Sequence, residues 1–127
     1  MLVPTAALAG VRAVIDLSEQ EMTVYVNGWP RHTWPVSTGR PGYPTPTGSF
    51  QPIRLERKWF SRKYDWAPMP HSVFFRGGYA IHGTTEIRRL GHRASHGCVR
   101  LHPDNAATLF GLIERYGKAN SRIVISR

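Results

Sequence analysis

Apolar and polar residues alternate along the first quarter of this chain. Segments 11–17 (VRAVIDL) and 22–26 (MTVYV) place apolar or β-branched side chains at every second position, the period of half-buried strands. Asn27-Gly28 supplies two residues that tolerate positive φ in a tight hairpin turn, with 33–37 as the expected return strand. Segment 38–48 (TGRPGYPTPTG) holds three prolines and three glycines, which forbid a regular helix or a central strand, so a loop is expected there. Segments 48–55, 72–76 and 79–82 read as further strands. Between them, the aromatic, basic and proline-rich stretch 58–70 (KWFSRKYDWAPMP) reads as a long surface loop.

The period changes once. In 102–117 (HPDNAATLFGLIERYG), Ala106, Leu109, Phe110, Ile113 and Tyr116 recur at helical spacing. Pro103 sits where a first helical turn accepts proline, and Gly117 is the expected stop. A β-branched strand over 122–126 closes the chain. The pattern predicts a mainly β domain with one principal helix.

Length and composition narrow this further. The chain has 127 residues, enough for one domain with one core, assigned here to 11–127. Residues 1–10 (MLVPTAALAG) read as a flexible segment or the remnant of an export signal. Ala-Leu-Ala-Gly resembles the small-residue end of such a signal, but the basic leader is missing. No apolar run approaches the roughly 20 residues of a membrane-spanning helix. The net charge of +9, from 17 basic and 8 acidic residues, favours anionic partners such as nucleic acid, anionic lipid or phosphate- and carboxylate-bearing wall polymers. Trp59, Phe60, Tyr64 and Trp66, interleaved with Arg57, Lys58, Arg62 and Lys63, could stack bases. The same mixture suits a lip over a substrate cleft, and nucleic acid is not the expected partner.

The chemistry concentrates in 81–102 (IHGTTEIRRLGHRASHGCVRLH). Ser95-His96-Gly97-Cys98-Val99-Arg100 packs a thiol, an imidazole and a guanidinium into six residues, where loop turns to strand just before the helix. His82, followed by Gly83, lies sixteen residues upstream of the thiol. A thiol of ordinary pKa near 8.5 is only a few per cent thiolate at neutral pH, so nucleophilic use requires a neighbouring base and cationic surroundings. The base in turn must be oriented through its other ring nitrogen. Gly97 frees the backbone to come close, so the amides of Gly97 and Cys98 could point at a developing oxyanion. Cys98 is the chain's one cysteine, which excludes an intramolecular disulfide. His92, His96, Cys98 and His102 are zinc-ligand types. Gly91 and Gly97 nevertheless break the helix that the His92–His96 spacing would want, and no Cys-x-x-Cys accompanies them. Neither metal nor cofactor is expected.

An upstream His-Gly, a short spacer and Ser-His-Gly-Cys followed by an apolar residue and Arg resembles the L,D-transpeptidase (YkuD-like) catalytic domain. The hairpin MTVYVNGWPRHTWPVSTG, the loop TGRPGYPTPTGSF and the order of the later segments are similar too, from about residue 13 to 126. The resemblance implies a mostly antiparallel β-sandwich with one principal helix after the catalytic cysteine. It implies Cys98 as nucleophile, His82 as general base and the Gly83 carbonyl as the group orienting that ring. The amides of Gly97 and Cys98 would form the oxyanion hole, with Ser95, His96 and Arg100 shaping the site. Tyr79, Met69 and Trp59 would contact substrate. The implied reaction is acyl transfer on peptidoglycan stem peptides through a thioester, in the periplasm or cell envelope, by a monomer sensitive to carbapenems. Anionic wall polymers are possible further partners. Two alternatives stay open: an L,D-carboxypeptidase or hydrolase using the same thioester, and a non-catalytic wall-binding or nucleic-acid-binding module on the same fold.

Overall fold

Residues 10–127 are described by the computed structural model, and the segment 1–10 assigned to a leader remnant lies, apart from Gly10, outside them. Strands β1 (Val11–Asp16) and β2 (Glu21–Val26) realise the alternation, turning Val11, Ala13, Ile15, Met22, Val24 and Val26 inward. Asn27 (φ 50°) and Gly28 (φ 85°) make the two-residue turn into β3 (Trp29–Pro35). The return strand thus starts four residues earlier than the expected 33–37. Pairing Val26 with Trp29 directly across so short a turn requires it. Pro30 and Pro35 are tolerated because β3 is an edge strand, with one side free of ladder bonds.

The expected strand over 48–55 is two strands in two sheets. Here β4 (Gly48–Phe50) joins the first sheet, and β5 (Arg54–Glu56) joins the second. The chain crosses between them at Gln51-Pro52, where proline has no N–H to donate. The stretch 58–70 is not wholly loop, since β6 (Phe60–Ser61) and β7 (Ala67–Pro68) pair as a short hairpin. Asp65 and Trp66, at φ 58° and 57°, close it.

After β8 (Ser72–Arg76) and β9 (Tyr79–Gly83) come a 3₁₀ turn at Ile87–Arg89, β10 (Val99–Leu101), helix α1 (Pro103–Tyr116) and β11 (Ser121–Ser126). The first sheet runs β3-β2-β1-β11-β4, and the second runs β10-β9-β8-β5. Most pairings are antiparallel, but β11 beside β1 and β10 beside β9 are parallel. Both arise where the chain returns after a long excursion instead of a hairpin. The inward residues of both sheets and Ala106, Leu109, Phe110 and Ile113 of α1 form one core. His102 caps the helix by accepting the Asp104 N–H on Nδ1 at 3.1 Å, and Pro103 fills the first helical position. The architecture is the expected mainly β fold with one principal helix behind the cysteine.

Candidate active site

Strand alternation decides which residues of the second sheet meet the core and which face away. Val73, Phe75, Ile81, Val99 and Leu101 join the main core. Their neighbours in sequence turn to the opposite face: Phe74 and Ala80 form a small second cluster with Met69, against which Trp59 and Cys98 pack. His82 is level with Arg100 across the parallel β9–β10 pair, and Val99 is level with Ile81. Cys98, immediately before β10, is therefore a diagonal neighbour of His82. Both line a cleft of about 430 Å³ over this face.

His82 is 6% exposed. Its Nδ1–H donates to the Gly83 carbonyl at 2.7 Å, which leaves Nε2 without a proton. Burial pushes the ring's pKa down to about 4; the Gly83 carbonyl opposes this, and the Arg100 guanidinium adds to it. Burial likewise pushes the Cys98 thiol up, against the Ala80 backbone and the Arg100 charge, which favour the thiolate. Both shifts favour the uncharged forms, so the resting pair is a thiol and a neutral imidazole. The sulfur lies 3.9 Å from the Gly78 carbonyl, a long and weak contact.

The loop before Cys98 is held from several sides. Ser95 is fully buried, and its hydroxyl accepts the Gly97 N–H at 3.0 Å and donates to the Cys98 carbonyl at 2.6 Å. Thr45, from the proline-rich loop, donates to the Gly97 carbonyl at 2.8 Å and accepts the Gly39 N–H at 2.9 Å. Ala94 and Ser95 both donate their amides to the Thr38 carbonyl. Gly97 has φ 117°, and a Cβ there would sit 2.6 Å from the Tyr79 ring. Only glycine fits both the conformation and the space.

The cleft is cationic. Arg54, Arg62, Lys63 and Arg100 line it against the carboxylate of Glu86, the one acid among the lining residues described. The Arg54 guanidinium lies over the Phe74 and Trp59 rings, at 4.2 and 4.6 Å from their centroids. His96 stacks on Tyr64 of the β6–β7 hairpin with centroids 4.0 Å apart, and Tyr43 meets it edge-on. Arg40 donates to its Nε2 at 3.0 Å, so the ring is neutral. Desolvation first, then the charges of Arg40, Arg100 and Lys63, hold its pKa below the ordinary histidine value.

The sequence profile of the YkuD family, described as the L,D-transpeptidase catalytic domain, matches residues 10–125. The chain belongs to the L,D-transpeptidase catalytic-domain family. It is 32% identical over 121 residues to L,D-transpeptidase 1 of Mycobacterium tuberculosis, covering 84% of this chain and 47% of that protein. It thus spans about half the length of the curated relative. Among solved structures, an L,D-transpeptidase from Mycobacterium smegmatis superposes with a TM-score of 0.82 at 28% identity, over 94% of this chain and 59% of that one. The L,D-transpeptidase LdtMt1, solved in complex with imipenem, gives a TM-score of 0.81 at 27% identity, over 92% of this chain and 59% of that one.

Within this L,D-transpeptidase domain, Cys98, His82, Ser95, His96, Arg100, Met69 and Trp59 all line the cleft. Tyr79 does not; its ring packs beneath Gly97 and beside Phe75. Of the two amides expected at an oxyanion, Gly97's is given to Ser95, while Cys98's carries no hydrogen bond to the described residues. His102 caps the helix, and the His92 carbonyl accepts from Ser37, so the four zinc-ligand types are not gathered at one point. No group of three or more metal-ligating side chains forms among the described residues. Tyr64 lies in the aromatic and basic stretch expected to form a lip over the cleft, whereas Glu86, Arg54, Tyr43, Arg40 and Thr45 were not legible as site residues. Arg54 reaches the cleft from β5, Glu86 from the turn after β9, and Arg40, Tyr43 and Thr45 reach its walls from the proline-rich loop. Thr45 carried the only local hint, a hydroxyl framed by prolines in a segment otherwise unable to form ladder bonds.

Proposed function

We propose that this domain transfers acyl groups between peptidoglycan stem peptides through a thioester on Cys98. His82 Nε2 takes the thiol proton as the sulfur attacks the carbonyl of the L-centre at the third stem residue. The tetrahedral oxyanion is held by the Cys98 amide, the unengaged one of the expected pair. On collapse, His82 returns the proton to the leaving nitrogen and the terminal D-residue departs. An acceptor amine then attacks the thioester, giving an amide and restoring the thiol. Water in place of the amine gives the L,D-carboxypeptidase outcome through the same intermediate.

The observation that carries this reading is the tautomer of His82. The Gly83 carbonyl fixes the proton on Nδ1 at 2.7 Å and leaves Nε2 basic, on the face and in the cleft that Cys98 shares. A backbone carbonyl thereby does the orienting work that an acid does in other triads. The four cations of the cleft suit a donor bearing free carboxylates, and the net charge of +9 suits a location among anionic wall polymers outside the cytoplasmic membrane. No helix among the described residues is long and apolar enough to cross a membrane. Every group invoked comes from one chain, so a monomer suffices.

The test is product analysis with a tetrapeptide stem, with and without an added acceptor amine. Release of the terminal D-residue and formation of the cross-linked product by wild type, both lost in Cys98→Ala, are expected. D-residue release that never yields a transfer product would make the domain a carboxypeptidase. Turnover that survives in Cys98→Ala would overturn the mechanism.

A further inference from the structure

The second half of the proposed reaction sets an electrostatic problem. An alkylamine acceptor is an ammonium at neutral pH, and it must approach a thioester in a cleft lined by Arg54, Arg62, Lys63 and Arg100. Like charges at such range repel, and low-dielectric walls sharpen the effect. Glu86 is the counter-charge available: it is the one acid among the described residues lining the cleft.

Its placement suits that task. The side chain is 54% exposed, and both of its ion pairs fall on the same oxygen. Oε2 meets Arg89 Nε at 3.1 Å and Arg100 Nη1 at 3.4 Å. Oε1 carries no contact of this kind among the described residues. The backbone beneath it is fixed, since the Glu86 N–H donates to Thr84 Oγ1 at 3.0 Å. Glu86 also belongs to a second groove, lined with it by Thr85 and Ile87–Arg89. The carboxylate therefore stands where an outer groove meets the cleft, with one oxygen already committed and the other open.

We infer that Glu86 selects cationic amine acceptors, its free carboxylate oxygen receiving the ammonium as it passes from the outer groove toward Cys98. This rests on the thioester mechanism proposed above. The ammonium gives up one proton to solvent, its nitrogen attacks the thioester carbon, the C–S bond breaks, and the second proton passes through His82 to the departing sulfur. Glu86 touches the acceptor and forms no bond to it. Its role is a matter of KM for one class of nucleophile.

The experiment follows transfer from the acyl-enzyme to two acceptors in wild type, Glu86→Gln and Glu86→Lys. One acceptor is Nα-acetyl-lysine methylamide, whose amine is protonated at neutral pH; the other is hydroxylamine, which is uncharged there. Glu86→Gln is expected to raise KM for the lysine acceptor about fivefold relative to hydroxylamine, the scale of one partly exposed ion pair. Glu86→Lys is expected to raise that ratio about tenfold or more, because it adds a repelling charge. Glu86→Asp is expected to recover part of the preference. An unchanged ratio, or an equal loss with both acceptors, overturns the inference while leaving the thioester mechanism standing. Failure of wild type to form an acyl-enzyme overturns both.

Discussion

Acidification is expected to destabilise this fold through His82. The ring is 6% exposed, and its pKa lies at about 4 against an ordinary 6.5. Between those values the unfolded chain holds a proton on this ring and the folded chain does not. Stability therefore rises with pH through that window, is complete above about 6.5, and is lost as pH falls toward 4. At about 1.4 kcal/mol per tenfold change in proton affinity, the gap amounts to roughly 3 kcal/mol. About 40% of it has gone by about pH 5.5 and about three quarters by about pH 4.5. That is a large share of the roughly 5–15 kcal/mol by which such domains are stable. The assay is urea unfolding at about pH 7, 5.5 and 4.5 for wild type and His82→Gln, whose side chain does not titrate. Every other ionisable group is common to the two proteins, so its contribution cancels in the difference. Wild type is expected to lose about 2 kcal/mol more than the variant between the two extremes. Curves that stay parallel within about 0.5 kcal/mol would refute the buried neutral ring.

Three further outcomes follow from the same geometry. Because burial raises the Cys98 thiol and depresses His82, iodoacetamide labelling should be slow at neutral pH and still climbing above about pH 8.5; a rate plateau reaching down to about pH 5 would instead mean a preformed thiolate–imidazolium pair. Gly97→Ala puts a Cβ 2.6 Å from the Tyr79 ring at φ 117° and should cost at least about 2 kcal/mol in urea unfolding. Adding Tyr79→Ala should relieve the collision and leave the backbone strain, and full recovery would contradict the strain. Ser95→Ala leaves the Gly97 N–H and the Cys98 carbonyl without their partner and should cost about 1–3 kcal/mol by thermal unfolding. A change indistinguishable from zero would show that this hydroxyl does not hold the loop.

The parts of this domain that were legible in the sequence are those where one local signal suffices. Alternation gave β1 and β2, Asn27-Gly28 gave the turn, and helical spacing behind Pro103 gave α1, with Ala106, Leu109, Phe110 and Ile113 all buried as expected. The proximity of His82 and Cys98 was legible through the spacing of a recognisable motif, and strand parity then explains why Phe74, Ala80, His82 and Arg100 share a face. What was not legible depends on partners distant in the chain. A continuous β-like segment at 48–55 does not say which sheet each half will join; only β11 on one side and β8 on the other decide that. Tyr79 was expected at the substrate through the family resemblance, yet its odd parity on β9 turns it under Gly97. The Gly97 amide looked free until a serine two residues earlier claimed it, a local hydrogen bond of the kind serine forms in turns. Glu86 was hidden altogether, because a carboxylate in a charged loop is ordinary until the charges around it are placed.

A thiol acyl-enzyme on Cys98, formed with His82 as base, would be visible as added mass in intact-protein mass spectrometry after incubation with a carbapenem. A single covalent adduct on wild type, mapped to the peptide containing Cys98, is the predicted result, absent in Cys98→Ala and formed at least about tenfold more slowly in His82→Ala. Well-folded wild-type protein with a reduced thiol that acquires no adduct, or an adduct that persists in Cys98→Ala, would contradict it.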